Sequence, residues 1–578
     1  MINTTSIQGL KYTWLLPAVK PMDALQIAAD YNLSLPIAQI LLARGFITKE
    51  LIDQFLFTSF DTAIAHMGLM KDAQKAIDRI VRAIEHKEKI LIFGDYDVDG
   101  ITSSAMMMQC LKLVGADVNF FLPNRVRDGY GLSTKVVQKA ADNGYSVVIT
   151  VDNGVTAFEP AALAKKLGID LIITDHHQPH GHLPEAFALI NPHQQECNYP
   201  YKLFAGVGVT FKVLSFLFAR LGKELPQKVY ELLLLGTVAD VVPLTGENRF
   251  WVRYGLQYVN RQESLAFKVL KENGKLTKPL LSSLDIGFSI APQINALGRL
   301  DDPRDGVKFL IGSHEQEVAR IGKVLLELNQ ARREIERGIF VEIEASIKAG
   351  AIDLSKENIV MAASKNWPAG VIGLVGSRLV GEYGRPALLF HLTKDGVAKG
   401  SCRSISAFNM FEALESCKDL LVQFGGHAQA AGLAIKIENL PKLKERLEER
   451  IAQQLTPFDL QQKLTLDAQT TLPELTKKFM EDMQHLEPFG HQNDVPRFYI
   501  KNVVQVQKPV LLKDAHVKCT IFADGVIKPV IFFNKPTLFD VCMKLGSQPF
   551  DLAAQVMENH WNGNINIELQ GLDIAVSQ

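Results

Sequence analysis

Short apolar runs alternate with segments of helical period between residues 89 and 174 of the chain. The runs are rich in β-branched residues, and the segments between them repeat apolar residues three and four positions apart. Strands that alternate with helices in this way predict a parallel sheet covered by helices on both faces. The predicted strands are KILIF (89–93), DVNFFL (117–122), SVVITV (146–151) and IDLIIT (169–174).

The pattern changes on both sides of this region. Residues before about 75 predict short helices only. A charged, proline-free segment from about 314 to 349 predicts one helix, of which 30 residues alone span about 45 Å. After it, ENIVMAAS and RPALLFHL regain strand character. From about Leu464 onward, short strands separated by turns predict a small barrel or sandwich.

The composition indicates the general class of protein but does not indicate a binding partner. A chain of 578 residues is too long for one core, and 47% hydrophobic with 22% charged residues is typical of a globular protein. The net charge of −1 gives no sign of a polyanionic ligand. Six scattered cysteines without a CxxC pair, and no apparent signal peptide, favour a cytoplasmic location. The most apolar stretch, residues 206–222, contains two basic residues and predicts a buried helix, so no membrane contact is expected.

Polar residues follow each predicted strand of the parallel sheet. Because ligands bind outside the carboxyl ends of such strands, these side chains are expected to meet at one sheet edge. The residues are Asp95, Asp97, Asp99, Arg125, Asp152, Asp175, His176 and His177. Three crowded aspartates raise one another's pKa unless a cation lies among them.

Calcium binding by an EF-hand loop is the first alternative for the DYDVDG segment. Counted from Asp95, position 12 is Met106 instead of glutamate, and a strand precedes the loop instead of a helix. Carboxylates and imidazoles without thiolate favour Mn²⁺ or Mg²⁺. The number of ligands suits two ions, the usual apparatus for hydrolysing phosphate esters. Taken singly, Asp152 could equally belong to a simple turn.

Eight segments in order make the chain resemble the DHH phosphoesterase superfamily, and in particular its bacterial single-strand-specific exonucleases. They are GDYDVDG, PNRVRDGYGL, VDNGV, TDHH, GTVADVVPL, NALGRLDDP, GSCRS and GGHAQAAG. The resemblance implies an α/β protein in which a long helix joins a DHH domain to a smaller DHHA1 domain, followed by an OB-like β-barrel. The expected boundaries are an N-terminal helical segment at 1–75, the DHH domain at 76–312, the helix at 313–350, the DHHA1 domain at 351–460 and the barrel at 461–578.

The resemblance also implies roles for individual residues. Two Mn²⁺ or Mg²⁺ ions would be held by Asp97, Asp99, Asp152, His176 and Asp240, with Asp152 as the bridge. Asp95 and His177 would contact the ligands or a phosphate, and His427 would lie near the scissile phosphate. The expected substrate contacts are Arg125, Asn295, Arg299, Ser401, Arg403, Gly425 and Gly426. Without the resemblance, structural salt bridges for the arginines and a tight turn for the glycines are the simpler interpretations.

The barrel region offers weaker signals for a binding role. Lys513, His516, Lys518, Lys528 and Lys535 supply positive charge. Phe522 or Phe532 could stack on bases or belong to the core, and for either one the core is the better interpretation.

Together these features predict a 5′-to-3′ exonuclease that hydrolyses single-stranded DNA to mononucleotides in recombination and repair. The resemblance implies single-stranded DNA as substrate, a single-strand-binding protein and a recombination helicase as partners, and a monomer. Two alternatives remain: a phosphodiesterase for oligoribonucleotides or cyclic dinucleotides, and a non-catalytic replication scaffold. The length and the barrel argue against the first, and the complete set of ligand types argues against the second.

Overall fold

A computed structural model describes residues 4–60, 64–125, 127–179, 181–561 and 564–576. The strands, in chain order, are β1 Thr4–Gln8, β2 Thr13–Pro17, β3 Lys89–Gly94, β4 Asp117–Phe121, β5 Tyr145–Val151, β6 Asp170–Thr174, β7 Ala188–Ile190, β8 Val360–Ser364, β9 Ala387–Leu392, β10 Val397–Arg403, β11 Leu421–Gly426, β12 Ala430–Lys436, β13 Lys463–Thr465, β14 Ala468–Gln469, β15 Phe498–Gln505, β16 Val510–Leu512, β17 His516–Ala523, β18 Val526–Phe532, β19 Phe550–Trp561 and β20 Asn564–Ala575.

The α-helices, in chain order, are α1 Pro21–Tyr31, α2 Leu35–Ala43, α3 Lys49–Leu56, α4 Ala73–Glu85, α5 Val98–Leu113, α6 Thr134–Asp142, α7 Phe158–Lys166, α8 Gly206–Arg220, α9 Val229–Ala239, α10 Gly246–Val259, α11 Leu265–Asn273, α12 Ser283–Asp285, α13 Ala291–Leu300, α14 Arg304–Ile311, α15 Glu315–Lys348, α16 Ile372–Tyr383, α17 Met410–Glu415, α18 Leu440–Gln454, α19 Lys477–Gln484 and α20 Leu538–Leu545. One turn of π-helix, Ile286–Ile290, lies between α12 and α13. Across the described residues, no helix combines the length and the apolar character that a membrane span needs.

The chain divides into two compact units. The parallel-sheet unit comprises Phe57–Ile335 and Pro488–Asp494. The barrel unit comprises Met1–Leu56, Glu336–Glu487 and Val495–Gln578.

The parallel-sheet unit contains a five-stranded sheet in the order β4-β3-β5-β6-β7, with every pair parallel. Alternate residues of the strands enter different cores. Ile90 and Ile92 pack with the core formed by α5, α8 and α9, whereas Leu91 and Phe93 pack with the core under α6 and α7. The four predicted strands and the parallel sheet are confirmed. Strand order reverses between β3 and β5, so the loops after these two strands diverge and leave a crevice.

The barrel unit contains two larger sheets. β11-β12-β10-β9-β8 form a mixed sheet packed on α16 and α18, the smaller α/β domain that the sequence predicts. In the second sheet β15, β19, β20, β18 and β17 pair in that order, and β17 pairs back with β15. This closure confirms the predicted barrel. Phe532 is 1% exposed and therefore belongs to the barrel core, whereas Phe522 is 37% exposed.

The prediction that the N-terminal segment is helical is wrong for its first residues. β1 and β2 form a hairpin, and β2 pairs in parallel with β13. The hairpin turn is held by the buried carboxylate of Asp573, which accepts hydrogen bonds from the backbone N–H groups of Lys11 and Tyr12 and from Trp14 Nε1. A partner more than 550 positions away leaves no local signal. α1, α2 and α3 follow the hairpin as predicted, and α15 confirms the long helix.

Candidate metal centre

The DYDVDG loop follows β3 and starts α5. Asp97 caps this helix, because its Oδ1 accepts a hydrogen bond of 3.1 Å from Gly100 N. Asp95 Oδ1 accepts one of 2.7 Å from Tyr96 N. A methyl group at Gly100 would lie 2.5 Å from the Asp95 carbonyl oxygen, so only glycine lets the helix start this close to the loop. The loop therefore fixes the aspartates by its own backbone.

Asp99 is 1% exposed and lies against the first turn of α8. Its two carboxylate oxygens accept hydrogen bonds from the backbone N–H groups of Gly206, at 2.6 Å, and Val207, at 2.8 Å. Free N–H groups at a helix N-terminus stabilise a negative charge. Gly206 also borders Asp152, whose Cβ would lie 2.5 Å from a methyl group at that glycine. One glycine thus positions two acidic side chains.

Asp152 follows β5 in a left-handed conformation, with φ of 62°. Such a backbone is uncommon for residues other than glycine and often marks a functional site. Its backbone N–H donates to Thr174 O at 3.0 Å, which ties the loop to β6. Its Oδ1 lies 3.1 Å from His176 Nε2, yet neither atom has a hydrogen-bond partner among the described residues, and both are buried.

The two histidines that follow β6 have different environments. His176 Nε2 faces Asp152, and lies 3.7 Å from Asp240 Oδ2. His177 Nδ1 lies 2.7 Å from Oδ1 of Asp175, a buried carboxylate that also accepts hydrogen bonds from the backbone of both histidines. Asp175 is therefore a positioning group for the histidine pair.

Asp240 directly follows α9, the helix formed by the apolar run before it. The next residue, Val241, has φ of 58°, an unusual conformation for a β-branched residue. The buried Asn248 holds the loop beyond it: its Nδ2 donates to Pro243 O at 3.1 Å and to Leu203 O at 2.5 Å. Leu203 lies on the segment that leads into α8. One carboxamide thus joins the backbone segments next to Asp240 and next to the Asp99 partners.

Burial and mutual repulsion raise the pKa values of the carboxyl groups. Burial, together with the Asp240 charge, raises the pKa of Asp99 to about 7. Burial and the Asp97 charge raise the pKa of Asp240 to about 8. The pKa values of Asp95 and Asp152 are raised well above the usual range, chiefly by burial and then by neighbouring aspartates. The protein alone does not stabilise these charges in their ionised form.

The histidines are shifted in opposite directions. Burial, with the charge of His177, lowers the pKa of His176, which favours the neutral ring that binds cations. Burial would also lower the pKa of His177, but the hydrogen bond to Asp175 and the negative charges of Asp175, Asp240 and Asp95 together outweigh it and raise that pKa to about 9.

The donor set fits divalent cations. Ligand atoms lie within 4.8 Å of one another in three groups, which are Asp95, Asp97 and Asp152; Asp99, His176 and Asp240; and Asp152, His176 and His177. Asp152 and His176 each belong to two groups. The facing, unbonded Asp152 Oδ1 and His176 Nε2 are buried polar atoms that a cation would satisfy.

Predicted phosphate contacts of the parallel-sheet unit lie beside this cluster. Arg125 Cζ lies 5.5 Å from the ring centroid of Tyr96 in the DYDVDG loop. Asn295 and Arg299 are four residues apart on α13 and share a face of that helix. A methyl group at Gly298 would lie 2.1 Å from the Tyr96 carbonyl oxygen, so α13 touches the same loop.

The other predicted contacts lie together in the barrel unit. Arg403 Nη1 donates to Ser401 Oγ at 3.1 Å, both on β10. Gly425 and Ser401 each pair with Gly432, from opposite sides of β12. Gly426 has φ of 136°, and the next residue, His427, pairs with Ala430 through backbone hydrogen bonds. The structure thus gathers Ser401, Arg403, Gly425, Gly426 and His427 on one sheet, and their approach to the carboxylates stays a prediction.

Sequence reasoning missed Gly206 and Asn248 and gave Asp175 no role. The glycine pair of AGVGV directly before an apolar helix was an available signal for a helix N-terminus that closely approaches another group. Asn248 had no comparable signal, because its two carbonyl partners come from separate loops.

Comparisons with known proteins agree with this arrangement. Three family models match: the DHH family N-terminal domain at 89–237, the DHHA1 domain at 356–453 and the RecJ OB domain at 466–573. The single-stranded-DNA-specific exonuclease RecJ of Bacillus subtilis is 36% identical over 94% of this chain and 68% of its own length. RecJ of Escherichia coli is 32% identical over 86% of this chain and 89% of its own length.

A solved structure shares the fold. The crystal structure of RecJ in complex with Mn²⁺ from Thermus thermophilus has a TM-score of 0.82 and 26% identity, and the match covers 98% of this chain and 80% of that chain. The three matched models correspond to the DHH domain, the DHHA1 domain and the barrel that the sequence predicts.

Proposed function

The chain belongs to the RecJ family of single-stranded-DNA-specific exonucleases, and we propose that it removes mononucleotides from the 5′ end of single-stranded DNA. The main support for this proposal is the cluster of buried carboxylates and histidines where the strand order of the parallel sheet reverses. There Asp152 and His176 face each other without a hydrogen bond among the described residues. Such a cluster has no structural benefit to the protein alone, because its pKa values are raised.

Two Mn²⁺ or Mg²⁺ ions would be held by this cluster. One site would use Asp95, Asp97 and Asp152, and the other Asp99, His176 and Asp240. Asp152 Oδ1 lies 3.1 Å from His176 Nε2, which supports the proposal that Asp152 is shared between the two sites. When bound, the cations supply the positive charge that a phosphodiester needs for attack by water. The residues proposed as ligands are Asp97, Asp99, Asp152, His176 and Asp240, with Asp95 as a further candidate.

Groups of the protein orient the substrate and stabilise developing charge. His177 Nδ1 lies 2.7 Å from Asp175 Oδ1, which leaves Nε2 as the ring nitrogen that would donate to a phosphate oxygen. Arg125 and Arg299 border the DYDVDG loop from two sides and suit the terminal phosphate through their forked donors. Asn295 would donate to the same group. Ser401, Arg403, Gly425, Gly426 and His427 would complete the substrate contacts from the barrel unit.

A terminal-phosphate pocket next to the cluster explains the direction of digestion. If Arg299 contributes to that pocket, Arg299→Ala should lower the preference for a 5′-phosphate over a 5′-hydroxyl end by roughly 10-fold or more, since a charged hydrogen bond contributes about 1.5–3 kcal/mol. Arg220, exposed at the far end of α8, gives the matched control Arg220→Ala. The measurement is a gel assay with 5′- and 3′-labelled strands and a blunt duplex in Mn²⁺. Equal digestion from both ends, or of duplex and single strand, contradicts the proposal.

The cellular location, the oligomeric state and the partner proteins are less directly supported than the metal centre. We propose action in the cytoplasm, because Cys110, Cys197, Cys402, Cys417, Cys519 and Cys542 are all buried free thiols. A monomer, a single-strand-binding protein and a recombination helicase as partners are proposals from the resemblance. Light scattering and pull-down with the purified proteins test them.

A further inference from the structure

Two large apolar side chains are exposed on segments that meet at the C-terminal end of α9, directly before Asp240. Val241, which follows Asp240, is 63% exposed, and Phe288, in the π-helical turn, is 75% exposed. Val241 N donates to Val238 O of α9 at 3.3 Å, and Gly287, the residue before Phe288, lies against the same helix, because a methyl group there would be 3.5 Å from Val238 Cγ1. We call Phe288 and Val241 the apolar patch. Exposed residues of this size are candidates for binding when they cluster.

The backbone that presents Phe288 is built for that conformation. Pro292 has no N–H group to donate to the carbonyl four positions earlier, that of Phe288, so the regular helix cannot continue through this turn. Ala291 N–H bonds instead to Ile286 O, five positions earlier. The buried side chain of Gln293 donates to Ser289 O at 2.7 Å, which supports the widened turn. Single π-helical turns are frequent at functional sites.

Val241 is also held in an unfavourable conformation. Its φ of 58° strains a β-branched residue, and the strain is maintained in a side chain exposed to water. Strained positions of this kind cluster at active sites and ligand contacts. Because the valine side chain is exposed, packing in a core does not account for this conformation. Phe288 and Val241 are therefore unusual for two independent reasons: the first lies in a π-helical turn, and the second has a positive φ.

The position of the apolar patch indicates which ligand it would bind. Val241 directly follows Asp240 in the chain, and Asp240 Oδ2 is 3.7 Å from His176 Nε2 at the metal centre. α13, which carries Asn295 and Arg299, begins directly after the π-helical turn. A single strand whose phosphodiester lies at the carboxylates must place neighbouring bases close by, and bases stack on aromatic side chains whatever their sequence.

We propose that Phe288 is a stacking surface for one nucleobase of the strand under digestion, with Val241 as a further apolar contact at the same end of α9. This inference rests on the proposed function and adds a base contact to its phosphate contacts. The patch selects for an unpaired base, because an interior base of a duplex has both faces covered by its neighbours.

The test combines a variant with an abasic scan. KM and kcat are measured for 5′-phosphorylated oligonucleotides, intact or with one abasic residue at each of the first several positions. Phe288→Ala should raise KM on intact DNA roughly 5- to 150-fold, the range that stacking of one base supports. Phe288→Trp should keep KM near that of the wild type. At one position the abasic residue should raise KM for the wild type but not for Phe288→Ala, because the contact is already lost.

Matched measurements separate the possible outcomes. Leu113 is 59% exposed at the far end of α5, so Leu113→Ala controls for loss of exposed apolar surface. The nucleobase contact is overturned if Phe288→Ala has the KM of the wild type. It is also overturned if the effects of Phe288→Ala and of the abasic residue on KM add fully at every position. In either case the exonuclease activity stands, and a partner protein would be the occupant of the patch. If the wild type digests no single strand in Mn²⁺, the proposed function fails, and this inference with it.

Discussion

Gly206 is the position where a single methyl group should do the greatest harm for the least change in the fold. Its N–H binds Asp99, and an added Cβ would lie 2.5 Å from Asp152 Cβ and 2.7 Å from Asp152 Oδ1. Ordinary contacts begin near 3.4 Å, so Gly206→Ala must move one partner by about 0.9 Å. Asp152 is restrained by its φ of 62° and its bond to Thr174 O, and if α8 moves instead, the bonds to Asp99 lengthen.

A displacement of about 1 Å at a catalytic group costs about 100-fold in rate. We therefore expect Gly206→Ala to lower kcat/KM on a 5′-labelled single strand by about that factor. The matched control is Gly338→Ala on α15, where an added methyl group meets nothing within 4 Å. That substitution should stabilise the protein by about 1 kcal/mol and leave digestion unchanged. Thermal unfolding shows whether each variant is folded, and a folded Gly206→Ala that keeps more than half of the activity refutes the reasoning.

Three further predictions concern the same edge of the sheet. Asp152→Ala should abolish digestion at saturating Mn²⁺ yet leave the circular dichroism unchanged, because it removes a ligand and also relieves repulsion; residual activity above a few per cent contradicts a shared ligand. The pKa values of Asp99 and Asp240, about 7 and about 8, exceed those of aspartates in an unfolded chain. The cation-free folded protein therefore binds more protons than the unfolded chain, and its stability should fall as the pH rises from about 4 to 8. Mn²⁺ displaces those protons, so the rise in Tm at fixed Mn²⁺ should grow between pH 5 and 8, and a constant rise would argue against binding at these carboxyls. Asn248→Asp replaces an amide donor by an acceptor facing two carbonyls, and should raise the Mn²⁺ concentration for half-maximal activity about 10-fold; an unchanged Mn²⁺ titration would show that the loops hold without it.

Local patterns were sufficient for elements whose partners follow from periodicity. The strands before Asp95, Asp152 and Asp175 could be predicted because β-branched runs and parallel topology bring their ends to one edge. The spacing also predicted α15 within one residue at each end.

Features that depend on distant partners could not be predicted in the same way. The N-terminal hairpin depends on Asp573, and the position of the Asp99 carboxylate depends on N–H groups more than 100 positions later. Asn248 acts through backbone carbonyls, which any sequence could supply. The π-helical turn is different, since Pro292 marks it, but its exposed phenylalanine is evident only in three dimensions.

The number of Mn²⁺ ions bound per chain tests most directly whether the carboxylate cluster is a two-cation centre. Electron paramagnetic resonance of free Mn²⁺ during titration of the full chain counts the bound ions. The account predicts two ions per chain for the wild type, and loss of tight binding at both sites in Asp152→Ala, because Asp152 groups with Asp95 and Asp97 at one site and lies 3.1 Å from His176 of the other. A wild-type chain that binds one ion or none, or an Asp152→Ala chain that still binds two tightly, would contradict it.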